Sequence, residues 1–130
     1  MDSLLANWTP RLLSVLRIVT AFLFMAHGTM KWFAFPAPFP FPITLWSLPG
    51  IAGVMEIVGS ALLLLGLFSR PVAFLLSGEM AFAYFIAHAP KNFWPILNGG
   101  ESAVLFCFVF LYLAAAGGGP WSLDRMMRRQ

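Results

Sequence analysis

Six ionisable residues stand within or at the ends of apolar stretches where charge is otherwise scarce: Arg17, His27, Lys31, Glu56, Glu79 and Glu101. An isolated charge at the centre of a bilayer costs at least roughly 2.5–3.5 kcal/mol on insertion scales. Several such costs in one small chain require these side chains to face one another or a wet cavity. Carboxyl, imidazole and ammonium groups gathered in apolar surroundings can bind a polar ligand group, hold a proton, or form structural ion pairs. The sequence contains no zinc-site spacing, nucleotide-binding loop, Ser-His-Asp arrangement or nucleic-acid surface, so it nominates no catalytic or metal-binding residue.

The elements that must position these groups are read from composition. Of 130 residues, 60% are hydrophobic and 10% charged, against roughly 45–50% and about 25% in soluble domains. The mean hydropathy is +0.82. A spanning helix needs roughly 17–25 mostly apolar residues. Four such segments can be drawn, over about residues 11–33, 49–68, 71–88 and 98–116. They leave only loops and ends, which predicts one domain over residues 1–130, an all-α transmembrane four-helix bundle with the lipid bilayer as its first partner. Residues 1–10 read as a short polar lead. A signal peptide is the rival for the first segment, but no small-residue cleavage site is present and further spans follow.

The segments between the spans are equally readable. Phe35 to Pro42 places a proline at every second position, which no helix accommodates, so an extended loop is expected across the outer mouth of the bundle. Pro49 suits a helix start, and Ser69 a helix N-cap. The brevity of Phe68-Ser69-Arg70-Pro71 makes spans two and three an antiparallel hairpin. Gly117-Gly118-Gly119-Pro120 ends the fourth span. Arg11, Arg17, Arg70, Arg125, Arg128 and Arg129 fall on one side, and Lys31 and Lys91 on the other. The positive-inside rule then places both termini in the cytoplasm, in a bacterial inner membrane. The lone Cys107 lies in an apolar run and reads as a small buried hydrophobe.

Helical geometry groups the ionisable residues. Lys31 lies about 40° from Arg17 around the first span and His27 about 80°, so all three share a face. Gly53, Glu56, Gly59 and Ser60 share a face of the second span, where small residues permit close helix contact. Asn98, Glu101, Phe108 and Tyr112 share a face of the fourth. His27 lies about 9 Å and Glu56 roughly 10 Å below the outer surface. His27, Lys31, Glu56 and Glu101 are thus expected to meet in the outer half, with Glu79 reaching them from below and Arg17 deeper. A dry site favours charge balance, which predicts that His27 carries a proton or that one glutamate, Glu79 first, is protonated.

Plainer roles compete for each residue. Asn98-Gly99-Gly100-Glu101 matches a capping box, and an acid there suits the helix dipole. Lys31 could extend to the outer interface and Arg17 to the inner one. His27 could be a packing residue, and Glu56 and Glu79 could pair structurally with Arg17 or Lys31. His88 reads as interfacial, and the phenylalanines as packing or lipid-facing.

Ordered motifs add a resemblance. They are Leu16-Arg17, His27-Gly28-Thr29-Met30-Lys31, Met55-Glu56-Ile57-Val58-Gly59, Leu63 to Arg70, Asn98-Gly99-Gly100-Glu101 and Trp121-Ser122-Leu123-Asp124-Arg125. With these the chain resembles the DoxX family of small four-helix membrane proteins over nearly its whole length. The resemblance implies a redox-associated membrane protein. Some relatives look like subunits tied to thiosulfate and quinone oxidation, others like parts of oxidative-stress complexes, and distant eukaryotic ones like cargo receptors or assembly helpers. Arg17, His27, Lys31, Glu56 and Glu101 fall in family motifs, whereas Glu79 is nominated on physical grounds. A cysteine pair is missing, which argues against thiol exchange by this chain alone.

Three functions follow from these readings. The first is a non-catalytic, ligand-binding subunit, with a quinone as the fitting ligand and membrane or soluble redox proteins as partners. The second is a proton-coupled small-molecule transporter. The third is a membrane scaffold or assembly factor. The lateral surface of four short spans also leaves room for a homo-oligomer.

Overall fold

A computed structural model describes residues 2–128. Arg129, counted above among the cytoplasmic arginines, lies outside the described residues. Six helices are present among them: α1 Asp2–Phe33, α2 Leu48–Leu65, α3 Ser69–Ala83, α4 Pro95–Asn98, α5 Glu101–Ala116 and α6 Leu123–Arg128. A π-helical turn, Tyr84–His88, extends α3. No strand occurs among the described residues. Asp2–Phe33, Leu48–Leu65 and Ser69–His88 are long and apolar enough to cross a membrane, while Glu101–Ala116 is apolar but shorter.

α1 packs along α2 and α3 along α5, and the two pairs join mainly through α2 and α3. Each buried face follows the helical repeat. On α1 it comprises Ser14, Arg17, Thr20, Ala21, Phe24 and Gly28, at steps of three and four. On α2 it includes the expected Gly53, Glu56, Gly59 and Ser60. Phe24 sets its ring edge-on to Phe110 of α5, with centroids 4.9 Å apart, at the middle of the core. Phe22, Phe74, Phe82 and Phe108 point away from the bundle.

The closest approach is between α1 and α2. A Cβ on Gly28 would lie 2.7 Å from Ile57 Cγ1 and 2.8 Å from the carbonyl oxygen of Gly53. The second obstacle is backbone, which cannot rotate aside. Gly28→Val is therefore expected to lower stability by about 1–3 kcal/mol, the range for overpacking, as read from the thermal midpoint in detergent. An unchanged midpoint would show that the two helices are not held this closely.

Four boundaries differ from the sequence expectation. The lead before Arg11 is helical, so α1 starts at Asp2, with Pro10 inside it. Proline removes only one helical hydrogen bond, and Asp2 suits the positive end of the helix dipole. α2 stops at Leu65 rather than Phe68. Gly66 takes a left-handed conformation, and the N–H groups of Gly66 and Leu67 bond the carbonyls of Leu63 and Leu62 at 3.1 and 2.9 Å. The last long helix starts at Glu101, because left-handed Gly99 separates it from α4.

The fourth difference concerns the start of α3. Ser69 does not cap it. Instead, the Asp124 carboxylate accepts the N–H groups of Phe68 and Ser69, both at 2.8 Å. Partial burial pushes this carboxyl up, but the N–H donors of Ser69 and Phe68 and the charge of Arg128 outweigh burial and hold it below the ordinary value. A lowered folded value means that the cap stabilises fully above the ordinary carboxylate range and fades as pH falls through the folded value. Asp124→Ala is expected to cost about 1–2 kcal/mol near neutrality and to flatten the acid limb of the stability–pH curve. An equal acid limb in both proteins would remove Asp124 from this role.

Candidate functional site

The site begins with Lys31, in the last turn of α1. Its ammonium reaches inward to Glu56 of α2 and donates to both carboxylate oxygens, at 2.9 and 3.1 Å. Their side chains are 12% and 3% exposed. Lys31 thus does not extend outward to the interface. The pull of a desolvated carboxylate exceeds what an ammonium gains in a screened, water-rich layer. Gly28 and Gly53 make the pairing possible, because their missing side chains bring the helices together beside it. Trp32 closes the site on the side of the proline loop by donating its indole N–H to the Gly50 carbonyl at 3.1 Å.

Glu79 enters from α3. Its backbone lies at the edge of the buried face, but both carboxylate oxygens are shielded from solvent. No donor reaches it, but it lies within hydrogen-bonding distance of the Glu56 carboxylate, so a proton on Glu79 would be shared with Glu56, and it feels the charges of Glu56 and Lys31. Ser60, one turn below Glu56 on the same face of α2, also has a buried hydroxyl without a partner. Most buried polar atoms in folded proteins are satisfied. A carboxyl left in this state is a place where a proton, a water or a ligand group fits.

The site opens in two directions. Above it, between the end of α1 and the proline loop, lies a groove of about 590 Å³ lined by Lys31, Trp32, Phe39 and Phe41. The Lys31 ammonium sits 5.7 Å from the Phe39 ring centre, between loop and carboxylate. To the side, His27 is exposed at the seam of α1 and α5, where its ring meets Phe24 at 5.8 Å and stands edge-on to Phe106 at 5.7 Å. His27 is also within electrostatic reach of Glu56 and Lys31.

Arg17 lies deeper, as expected, while Glu101 lies apart from the group it was expected to join. Arg17 is 1% exposed and donates to backbone carbonyls at the opposite end: Leu63 at 2.8 Å, Trp121 at 2.7 Å, and Gly118. It clamps the end of α2 to the glycine turn after α5 and neither joins the acids nor extends to the interface. Glu101 is exposed in the first turn of α5, away from the buried group. It lies about 200° around the helix from Ala103, which faces inward. The expected capping box is not formed either. The side chain of Asn98 accepts the N–H of Gly100 at 2.7 Å, and the N-cap of α5 is Gly100 itself.

A second polar cluster was not anticipated. Asn98 is buried and donates to Tyr84 Oη at 3.1 Å and to the Asn92 carbonyl at 3.0 Å, while His88 Nδ1 lies 3.0 Å from the Asn98 carbonyl. The π-helical turn sets Tyr84 and His88 together, and they pin the loop between Ala89 and Trp94. The sequence hint was Asn98 itself, an amide ahead of two glycines.

The sequence profile of the DoxX family matches residues 12–89, which carry Arg17, His27, Lys31, Glu56 and Glu79. The chain belongs to the DoxX family. This DoxX protein is also 45% identical, over 130 residues, to a Haemophilus influenzae protein described only as uncharacterized, with 92% of this chain and 93% of the relative covered. No solved structure matches it. The family match ends at Ala89, before α5, so the matched segment contains the whole Lys31–Glu56–Glu79 group but not Glu101.

Proposed function

We propose that this DoxX protein is a ligand-binding membrane subunit whose Lys31–Glu56–Glu79 site takes a small, lipid-soluble molecule with hydrogen-bond-accepting oxygens. A quinone is the fitting chemistry. The chain crosses the inner membrane four times with both ends in the cytoplasm, and it serves a membrane redox system through a partner protein rather than catalysing alone. The carrying observation is Glu79, whose carboxyl is buried with no donor to it, against the Glu56 carboxylate of a complete ion pair. An unpartnered anion is costly in such a place. A protonated Glu79 donates one hydrogen bond to a ligand oxygen, and the Lys31 ammonium, with a donor to spare, supplies another. The exposed His27 between Phe24 and Phe106 supports entry from the lipid.

The test is titration of the full chain in nanodiscs with a short-chain ubiquinone, read by tryptophan fluorescence. Losing a buried donor costs about 1.5–3 kcal/mol, so Glu79→Leu and Lys31→Met are each expected to weaken binding about 10- to 100-fold. Glu101→Gln, outside the site, is expected to bind normally. Equal affinity in all four proteins, or no saturable binding by the unaltered one, contradicts the proposal.

The groove that reaches Lys31 from outside favours a second reading, proton-coupled transport through Glu79. Proteoliposomes carrying a pH dye discriminate: ligand-driven proton flux lost in Glu79→Gln supports transport, and its absence under every gradient excludes it.

A further inference from the structure

The end of the bundle opposite the polar site carries a different feature. After α5 the chain turns through Gly117, Gly118 and Gly119 and folds back beneath the bundle. Ser14 holds the turn by donating its hydroxyl to the Gly118 carbonyl at 3.1 Å and accepting the Trp121 N–H at 3.0 Å. Between this turn, the start of α3 and α6 lies a cleft of about 250 Å³. Arg70, Arg125 and Arg128 line it, with Pro10 and Leu13 as its apolar wall.

The arginines make no hydrogen bond or close ion pair, although Arg128 is near enough to Asp124 to feel its charge. Among the described residues the ion pair is Lys31–Glu56, and no guanidinium of these three makes a hydrogen bond. The one acid in the cleft, Asp124, is engaged by the N–H groups of Phe68 and Ser69. Arg17 stands directly behind the turn, bonded to the Gly118 carbonyl. Four guanidinium charges against one carboxylate leave an excess of three positive charges around a small concavity. Like charges repel, so the arrangement is costly unless an anion occupies it. Guanidinium groups match phosphate oxygens through paired N–H donors.

The location narrows the source. Trp8 and Trp121 are exposed at this end, with Arg11 stacked 5.0 Å over Trp8, as suits the level of lipid headgroups. Pro10 and Leu13 give the cleft an apolar side where a glycerol or acyl chain can lie.

We infer that the cleft between the glycine turn and α6 binds a phosphate group, that of an anionic lipid headgroup, through Arg70, Arg125 and Arg128. The test uses the full chain in neutral detergent, with binding followed by native mass spectrometry. The probes are dihexanoyl phosphatidylglycerol, dihexanoyl phosphatidylcholine and inorganic phosphate. Surface arginines contribute roughly fivefold each to the attraction of anionic headgroups. Arg125→Gln with Arg128→Gln, both exposed and on a short terminal helix, is therefore expected to weaken phosphatidylglycerol binding about 25-fold. Phosphatidylcholine is expected to bind weakly to both proteins. Inorganic phosphate that displaces phosphatidylglycerol establishes the shared chemistry. Tight phosphate binding without phosphatidylglycerol binding overturns the lipid source and identifies a soluble phosphate compound instead. Equal binding of every probe by the unaltered and double-variant proteins overturns the site.

A measurement on the unaltered chain needs no variant. Phosphatidylglycerol is expected to protect Arg125 and Arg128 from phenylglyoxal while leaving Arg11 reactive, and absence of that protection counts against the site.

Discussion

Arg17→Met is expected to lower stability by about 3 kcal/mol and to release the glycine turn from the bundle. The side chain is buried at 1% exposure and bonds three carbonyls. Not all three would be orphaned. Leu63 still receives the Gly66 N–H, and Gly118 still receives the Ser14 hydroxyl. One fully unpaired carbonyl, at about 1–3 kcal/mol, plus lost charge-assisted bonding gives the figure. Arg17→Lys is expected to recover less than half of it, because a single ammonium nitrogen cannot span three carbonyls as the guanidinium fork does. Thermal unfolding in detergent, with protease accessibility near Gly118, checks both. An Arg17→Met protein as stable as the original would free Arg17 for a role in ligand binding and contradict the clamp.

The second large effect concerns the ion pair. Glu56→Ala leaves the Lys31 ammonium in a largely desolvated place without its counter-charge. Breaking a buried pair from one side costs about 3–5 kcal/mol. Removing both sides is different, since replacing a buried pair by apolar residues of similar volume is often neutral. Lys31→Met with Glu56→Met is therefore expected to fold nearly as well as the unaltered chain while losing ligand binding. Unfolding in detergent and quinone titration, run on the singles and the double, form the cycle that separates these terms. If the double variant unfolds as badly as Glu56→Ala, the pair specifies helix packing, and the scaffold reading gains.

The account owes its firmest parts to periodicity. Glu56 sits between Gly53 and Gly59 at a step of three, so its burial against another helix is legible in the sequence. Pro49 and the Gly117–Pro120 run marked where helices begin and end. Other features depend on contacts that residue types do not encode. Arg17 binds backbone carbonyls, which every residue has, so nothing in the sequence named Leu63, Gly118 or Trp121 as its partners. Asp124 caps α3 from 55 residues away, displacing the nearer and more obvious Ser69. Lys31 has a stem long enough to turn either outward to water or inward to Glu56, and only the packing of Gly28 on Gly53 decides. Glu101 was misplaced for a further reason. α5 carries large apolar residues all round, so its sequence does not show which side faces the bundle, and the inward side is fixed by the packing of Ala103, Phe110 and Leu113.

The cysteine reading is consistent with the fold. Cys107 is half-buried, with its carbonyl accepting the Ser77 hydroxyl at 2.8 Å. It is the single cysteine of the chain. Thiol–disulfide exchange by this chain would therefore need a second thiol supplied from outside it.

The central claim is that the Glu79 carboxyl and the Lys31–Glu56 pair form one ligand site. Its most direct test is mass spectrometry of the protein extracted from its own membrane into native-lipid nanodiscs, alongside Glu79→Leu and Glu101→Gln. The account predicts a quinone-type molecule near one per chain in the unaltered protein and in Glu101→Gln, and its loss in Glu79→Leu. An unaltered protein without such a molecule, or equal amounts in all three, would contradict it.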